Sequence, residues 1–300
     1  MRRDFTFFVF LLSFFLICCE SGGSKKDGLF WSGRDSYGRE VSLSREPQRI
    51  ISLSPCVTEI LFMLGSEGKL VGISDFCNYP AGTDTIPHVG GLLDINVEAL
   101  CALQPDVLLV GSIVSPEVVE QFERVGVPVF IIKAESSIED IYAAVGVVGD
   151  IVGRKDSAEA LNVRLKREIE AVRASQQHAD TAARPSVYYV VGFGEAGDFT
   201  APANSHINEI ISLAGGRNIG ETLSTWSVSR EFLFESDPDI IIVRKEDAEA
   251  FARTQPYTSL RAVRSGHIYP IESGWIDIVT PRNMNAVRFI AEKCAEVKGN

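Results

Sequence analysis

Histidine is scarce in this chain. His88, His178, His206 and His267 are the only four in 300 residues, and no two stand at a spacing that pairs metal ligands. A structural zinc site, which closes four sulfur or nitrogen ligands around the ion, is therefore excluded as an organising feature. Positive charge is in deficit as well: 40 acidic residues against 29 Lys and Arg leave a net charge of −11. Nucleic-acid binders carry a basic face, so that class is set aside. No serine lies in a G-x-S-x-G elbow, and no nucleophile–base pair can be named. After the N-terminal segment there is no apolar run of the ~20 residues that a membrane-spanning helix needs.

Cysteine is sparse too. Cys56, Cys77, Cys101 and Cys294 are spread too thinly for a disulfide scaffold. Cys56 and Cys77 each follow a predicted strand and could be neighbours, and sequence leaves that pairing open. The remaining pair, Cys18 and Cys19, closes an apolar run from Phe5 to Ile17 that Arg2 and Arg3 precede. A basic start followed by a short apolar stretch is a secretory signal. Its end resembles the bacterial lipoprotein signal, whose final cysteine is lipidated and becomes the new N-terminus. Cys19 is the favoured anchor over Cys18, because a smaller residue precedes it. Residues 1–19 thus read as a signal peptide, and residues 20–46 as a Ser/Gly/Lys-containing tether and lead-in. The mature chain is expected on the periplasmic side, held to a membrane through its lipid anchor.

What remains is long enough for about two domains, and 45% hydrophobic residues supply a sizeable core. Short β-branched runs alternate with helical patterns. RIISLS (49–54) is followed by a helix over 57–64, a strand over 70–74, a helix over 97–103, the strand VLLV (107–110), a helix over 116–125 and a strand over 127–132. Strands alternating with helices at this spacing mean parallel βαβ units. From Ser137 to Gln177 apolar residues recur at three- and four-residue steps without proline, which predicts one long helix or two abutting ones. Fully helical, about 40 residues would span roughly 60 Å. After ADTAARP the alternation restarts. The fold class expected is α/β: two Rossmann-like lobes with central parallel sheets, residues 47–135 and 181–300, joined by a backbone helix over 136–180, with a ligand cleft between the lobes.

One stretch occurs twice. DINVEALCALQPDVLLV (94–110) and SVSREFLFESDPDIIIV (227–243) each place a glutamate, Glu98 or Glu231, seven residues before a Pro-Asp pair and a buried strand. Local chemistry explains part of this: Asn96 and Ser229 are N-caps, and an acidic residue in the first turn suits the helix dipole. It does not explain why the copies share their spacing and occupy corresponding places in two lobes. Gly192, Gly194 and Gly197 spell the dinucleotide fingerprint G-x-G-x-x-G, but DFTAPANS follows them instead of a helix whose N-terminus could receive a pyrophosphate. Aromatic residues collect at strand and loop ends: Phe76, Tyr79, Phe199, Trp226 and Trp275. Open α/β sheets bind ligands outside the carboxyl ends of their strands. A cleft lined by aromatic faces suits something large and partly apolar. His206, at a predicted helix start beside that cleft, is a further candidate contact.

RIISLSPCVTEILFMLG, VGISDFCNYP, VGGLLDINVEALCALQPDVLLV and WSVSREFLFESDPDIIIV together resemble the bacterial periplasmic substrate-binding proteins for vitamin B12 and iron complexes. The likeness runs from about Pro47 to the C-terminus. The cobalamin-binding type is most similar, through F-C-x-Y-P, the approach to the second glutamate and SGWIDIVTPR. The resemblance implies a monomer that carries its cargo to an ABC permease dimer and its ATPase, catalyses nothing and needs no cofactor. It implies Phe76, Leu92, Phe199, Trp226 and Trp275 as cleft residues, and Glu98 and Glu231 as partners of permease arginines. Leu92 stands where the enterobacterial cobalamin binders have Trp, and Gly274 where they have Asp. A catecholate siderophore complex would want several basic residues around it, and near the predicted cleft there are chiefly Arg230 and Arg282. Few charges and many rings favour a corrinoid. An iron–siderophore complex, or haem with Tyr79 or His206 as axial ligand, is the alternative, and a nucleotide-dependent enzyme built on GFGEAG a remote one.

Overall fold

The computed structural model describes residues 28–91, 96–111, 115–134, 136–176 and 184–298. Leu92, Cys18 and Cys19 lie outside these described residues. An antiparallel hairpin comes first, β1 (Trp31–Arg34) and β2 (Glu40–Leu43). It belongs to the first lobe rather than to a tether, since Trp31 packs edge-on against Phe130 with ring centroids 5.1 Å apart. Arg39 also ties its turn to the lobe, donating to the Val129 carbonyl and pairing with Asp35 and Glu123.

Four strands then form a wholly parallel sheet: β3 (Ile50–Ser52), β4 (Leu70–Ile73), β5 (Val107–Val110) and β6 (Val129–Ile131), in the order β4-β3-β5-β6. Helices α1 (Pro55–Met63), α2 (Val97–Ala102) and α3 (Pro116–Arg124) connect them. A parallel strand covered on both faces reads as a continuous apolar run, and β5 is buried at all four positions. Successive residues still point to opposite faces. Val107 and Leu109 join the layer containing Val57, Ile60 and Leu61 of α1, whereas Leu108 and Val110 meet Leu100 of α2 and Phe122 of α3.

The segment expected as one long helix or two abutting ones is two helices, α4 (Ile138–Ile151) and α5 (Lys155–Gln176). They run back along each other, so Asn162 on α5 donates to the Tyr142 carbonyl on α4 at 2.9 Å. Two glycines cause the reversal. Gly153 takes the left-handed conformation, φ +69°, that ends a helix at low cost. Gly149 faces Ala158 so closely that a side chain there would overlap it. The bridge between lobes is therefore α5 alone. Its 22 residues span about 33 Å.

The second lobe repeats the plan. Strands β7 (Ser186–Val190), β9 (Arg217–Asn218), β11 (Ile240–Arg244) and β12 (Ile268–Ile271) are parallel, in the order β12-β11-β7-β9. A two-residue ribbon, β8 (Asp198–Phe199) against β10 (Ser227–Val228), lies beside them. The helices are α6 (His206–Leu213), α7 (Arg230–Ser236), α8 (Ala248–Arg253), the single turn α9 (Arg261–Arg264) and α10 (Asn283–Lys298). One apolar layer runs through both lobes: Ile60 and Leu109, Ile141 and Val148 of α4, Leu161 and Ile169 of α5, then Ile210, Ile242 and Ile290. The lobes are also joined by a polar contact, because Glu209 on α6 accepts the first backbone N–H of α4, from Ile138, at 2.9 Å. A shared core and a helical bridge leave little freedom for hinge closure. Among the described residues, no helix is long and apolar enough to cross a membrane.

Candidate ligand-binding cleft

In a parallel βαβ unit the helix after a strand begins at that strand's carboxyl edge. Each lobe turns that edge toward the other. A cavity of about 340 Å³ opens there. From the first lobe Leu53, Ser54 and Cys56 at the β3–α1 junction, Gly111 after β5, and Ile132 and Ala134 after β6 line it. From the second lobe come His206 at the start of α6 and the segment Asp277–Ile278–Val279 after β12.

Asp277 is the charged group on this floor. Its carboxylate accepts from Arg244 Nε at 2.7 Å on one oxygen and from the Tyr189 hydroxyl on the other. Those donors sit at the end of β11 and within β7, so the sheet itself fixes the carboxylate. Burial and the neighbouring Asp277 charge push the Tyr189 phenol far above its usual range, so it is a permanent donor. His206 is 7% exposed, and its Nε2 lies 2.7 Å from the Ile276 carbonyl. Burial lowers its pKa below the ordinary 6.5, which keeps the ring neutral and assigns the proton to Nε2 as donor. His206 lines the cavity as expected, but the nitrogen that would ligate iron best is already committed.

The expected ring residues divide into two groups. Phe76, Tyr79 and Trp226 stand exposed, at 56%, 41% and 42%, and are not among the residues that line the cavity. Phe199 and Trp275 are half-buried packing residues, Phe199 against Gly192 and Gly197, Trp275 edge-on to Phe289. Tyr79 lies beneath the Arg282 guanidinium, 4.0 Å from its ring centroid. Arg282, from the second lobe, reaches across to Glu59 on α1 and forms a bidentate pair at 3.0 and 2.6 Å. Both side chains are buried, Glu59 to 1%. Burial pushes the Glu59 carboxyl up, with the hydrogen bond from Arg282 pulling against it. Arg230 is occupied as well: it pairs with buried Asp198 at 3.1 Å and donates to the Gly194 carbonyl. Both basic residues expected near the cleft are thus already neutralised.

The glycine fingerprint turns out to be a reversal of the chain. Val191 N–H donates to the Phe199 carbonyl and Phe199 N–H to that of Gly192, with Gly194 and Gly197 at φ +99° and +110°. No helix starts there. Cys56 and Cys77 are both buried free thiols, and Cys77 is held by hydroxyls of Thr58 and Ser74 rather than by a disulfide.

The repeated stretch folds the same way twice. Asn96 caps α2 by accepting from Ala99 N–H, and Ser229 caps α7 by accepting from Phe232 N–H. Glu98 and Glu231 therefore both occupy the second helical position, exposed, at the carboxyl edge of their sheets. Among the described residues neither forms an ion pair. The residue before each proline, Gln104 or Asp237, is left-handed, at φ 47° and 33°. Each Pro-Asp aspartate then holds the start of the neighbouring strand: Asp106 accepts from Arg49 N–H, and Asp239 from Ser186 N–H. Sequence reasoning singled out the glutamates and passed over this second role. It also missed Ser54, Glu59 and Asp277. For Glu59 a signal existed, since a lone carboxylate stands amid the buried face of VTEILF.

Comparison with known proteins agrees with this architecture. A protein of Halobacterium salinarum named as cobalamin-binding is 29% identical over 261 residues, covering 83% of this chain and 69% of its own. A protein of Bacillus subtilis named as an ABC transporter substrate-binding lipoprotein is 23% identical over 263 residues, covering 86% and 83%. Among solved structures, an apo periplasmic haem-binding protein from Roseiflexus sp. RS-1 superposes with a TM-score of 0.73 at 22% identity, over 84% of this chain and 99% of that one, a likeness of fold. Residues 50–273 match the periplasmic binding protein family, and the chain belongs to it.

Proposed function

We propose that this protein is the substrate-binding component of an ABC importer and that its cargo is a corrinoid, cobalamin or a close relative. The observation that carries the cargo assignment is the state of Arg230 and Arg282, each consumed by a buried carboxylate. A multiply anionic ferric catecholate would find no free cation of the expected pair, while a neutral corrinoid finds apolar walls and three exposed rings. The cobalamin-binding name of the Halobacterium relative supports the same cargo. On this reading Phe76, Tyr79 and Trp226 face the macrocycle, Phe199, His206 and Trp275 shape the wall behind it, and Leu92 is a further contact that the resemblance implies. The ABC transporter substrate-binding name of the Bacillus relative supports delivery of the ligand unchanged.

Glu98 and Glu231 are the docking pair, offered one per lobe to basic sockets of the permease. Their matched helical position and lack of local partners support this role. Export and anchoring through Cys19 complete the reading, supported by the lipoprotein name of the Bacillus relative. Isothermal titration of the purified protein with cyanocobalamin, haem and a ferric catecholate complex tests the cargo. Saturable binding of cyanocobalamin alone is expected. Binding of haem or the ferric complex with no response to cyanocobalamin would replace the corrinoid.

A further inference from the structure

Opposite walls of the cleft floor carry opposite hydrogen-bonding character, and each has capacity that the protein does not use. On the first lobe, α1 is a nine-residue helix that begins at Ser54 and Pro55. Ser54 stands at the N-cap but its hydroxyl caps nothing. Ser137, Ser205 and Ser229, at three other helix starts, all accept from the third backbone N–H. Ser54 is 8% exposed, lines the cavity, and its hydroxyl makes no hydrogen bond to another described residue. Pro55 has no N–H, so the first donors of α1 are those of Cys56 and Val57, at the positive end of the helix dipole. Gly111 leaves the space beside the Ser54 hydroxyl open, since even a Cβ there would come only within 3.9 Å of it. This wall donates.

The facing wall accepts. Asp277 is fixed by Arg244 and Tyr189, one donor to each oxygen. A carboxylate oxygen has two lone pairs. Each therefore keeps one, and the side chain, 24% exposed, lines the cavity. Leu53, Ile132, Ala134, Ile278 and Val279 make most of the remaining lining apolar. In such a site a polar group that finds the wrong partner loses its hydration without replacement.

We infer that the cleft floor is a carboxamide clamp, in which Ser54 and the first turn of α1 donate to an amide oxygen of the cargo while Asp277 accepts from its NH2 group. This rests on the corrinoid reading above and sharpens it. A primary amide is the group that satisfies both walls at once. A carboxylate arm would satisfy the donors but meet Asp277 charge against charge, and an ammonium would meet the helix dipole. The cavity, of about 340 Å³, has room for an acetamide or propionamide arm of such a ring. Asp277 and Ser54 are thus specificity-determining residues that read the edge of the ligand, separate from the ring-stacking residues.

The test is isothermal titration of the full chain in detergent with cyanocobalamin, with dicyanocobinamide, which keeps the ring amides but lacks the nucleotide, and with cobyrinic acid, whose arms are carboxylates. The first two are expected within about tenfold of each other, and cobyrinic acid about a hundredfold weaker than cobinamide. Ser54→Ala is expected to weaken cobinamide about fivefold. Asp277→Asn is expected to weaken it about thirtyfold and to narrow the gap between cobinamide and cobyrinic acid. Thermal midpoints are read alongside, because Asp277→Asn also removes a partner of Arg244; Ser54→Ala and the ligand series on the unaltered protein need no such control. If cobyrinic acid binds as well as cobinamide, or if both variants bind cobinamide within twofold of the unaltered protein, the clamp is wrong and the corrinoid reading stands. If no corrinoid binds the unaltered protein, both fall together.

Discussion

Arg282 of the second lobe grips Glu59 of the first with two hydrogen bonds, of 3.0 and 2.6 Å, in a pocket where the Glu59 side chain is 1% exposed. The two residues lie 223 positions apart in the chain, and among the described residues no other ion pair between the lobes is so deeply buried. Removing one partner leaves the other charged in a place that cannot hydrate it, which costs about 3–5 kcal/mol. Arg282→Ala should therefore lower the midpoint of urea unfolding sharply. Replacing both with apolar residues of similar volume, Glu59→Leu with Arg282→Met, should recover most of the loss. A double substitution as unstable as Arg282→Ala alone would show that the pair is not the unit that matters.

Gly274 belongs to the same device. A Cβ at this position would run into the Arg282 guanidinium. Gly274→Ala should then destabilise the protein by about 1–3 kcal/mol, as overpacking does, and should add almost nothing once Arg282 is already alanine. That non-additivity, measured as a double-mutant cycle, is the signature of a shared site. Additive losses would mean that Gly274 acts through its own backbone.

How much of this was legible beforehand follows from the distance over which each feature is encoded. VLLV and IIIV announce buried parallel strands because their burial is a property of four consecutive residues. Asn96 with Glu98, and Ser229 with Glu231, announce helix starts because capping acts over three residues. The fold-back of α4 on α5 was not legible. Its cause is the fit of Gly149 against Ala158, and helical periodicity is blind to which helices touch. Trp275 read as a cleft ring and is half-buried against Phe289, because an aromatic near a loop end looks the same whichever way it turns. Asp277 and Ser54 were invisible for a related reason. What distinguishes them is the empty bonding capacity they present across a cleft, and that exists only once two lobes face each other.

The matched glutamates predict a separation of functions. Glu98→Lys with Glu231→Lys should abolish stimulation of the importer's ATPase in proteoliposomes while leaving corrinoid affinity within about twofold. Both side chains are exposed helix-start residues, and surface substitutions there shift stability by no more than about 1 kcal/mol. Loss of affinity with stimulation per bound ligand preserved would make them cleft residues instead.

His206 predicts a pH dependence of known sign. Its pKa in the folded protein lies below 6.5, the value it regains on unfolding, because burial disfavours the imidazolium. Between those two values the unfolded chain binds the extra proton and the folded one does not, so stability falls as pH falls. The stabilisation is fully present above about pH 6.5 and is lost progressively below it, down through the folded value. Asp106 and Asp239, held below the usual aspartate range by the backbone N–H groups they accept against the opposing effect of burial, act in the same direction but only at more acid pH. His206→Gln keeps a donor for the Ile276 carbonyl and has no proton to gain. Urea unfolding from pH 7.5 to 5 should therefore lose more stability for the unaltered protein than for the variant, whose remaining slope comes from other groups such as the buried Glu59 carboxyl, and equal slopes for both would place the titration on another group.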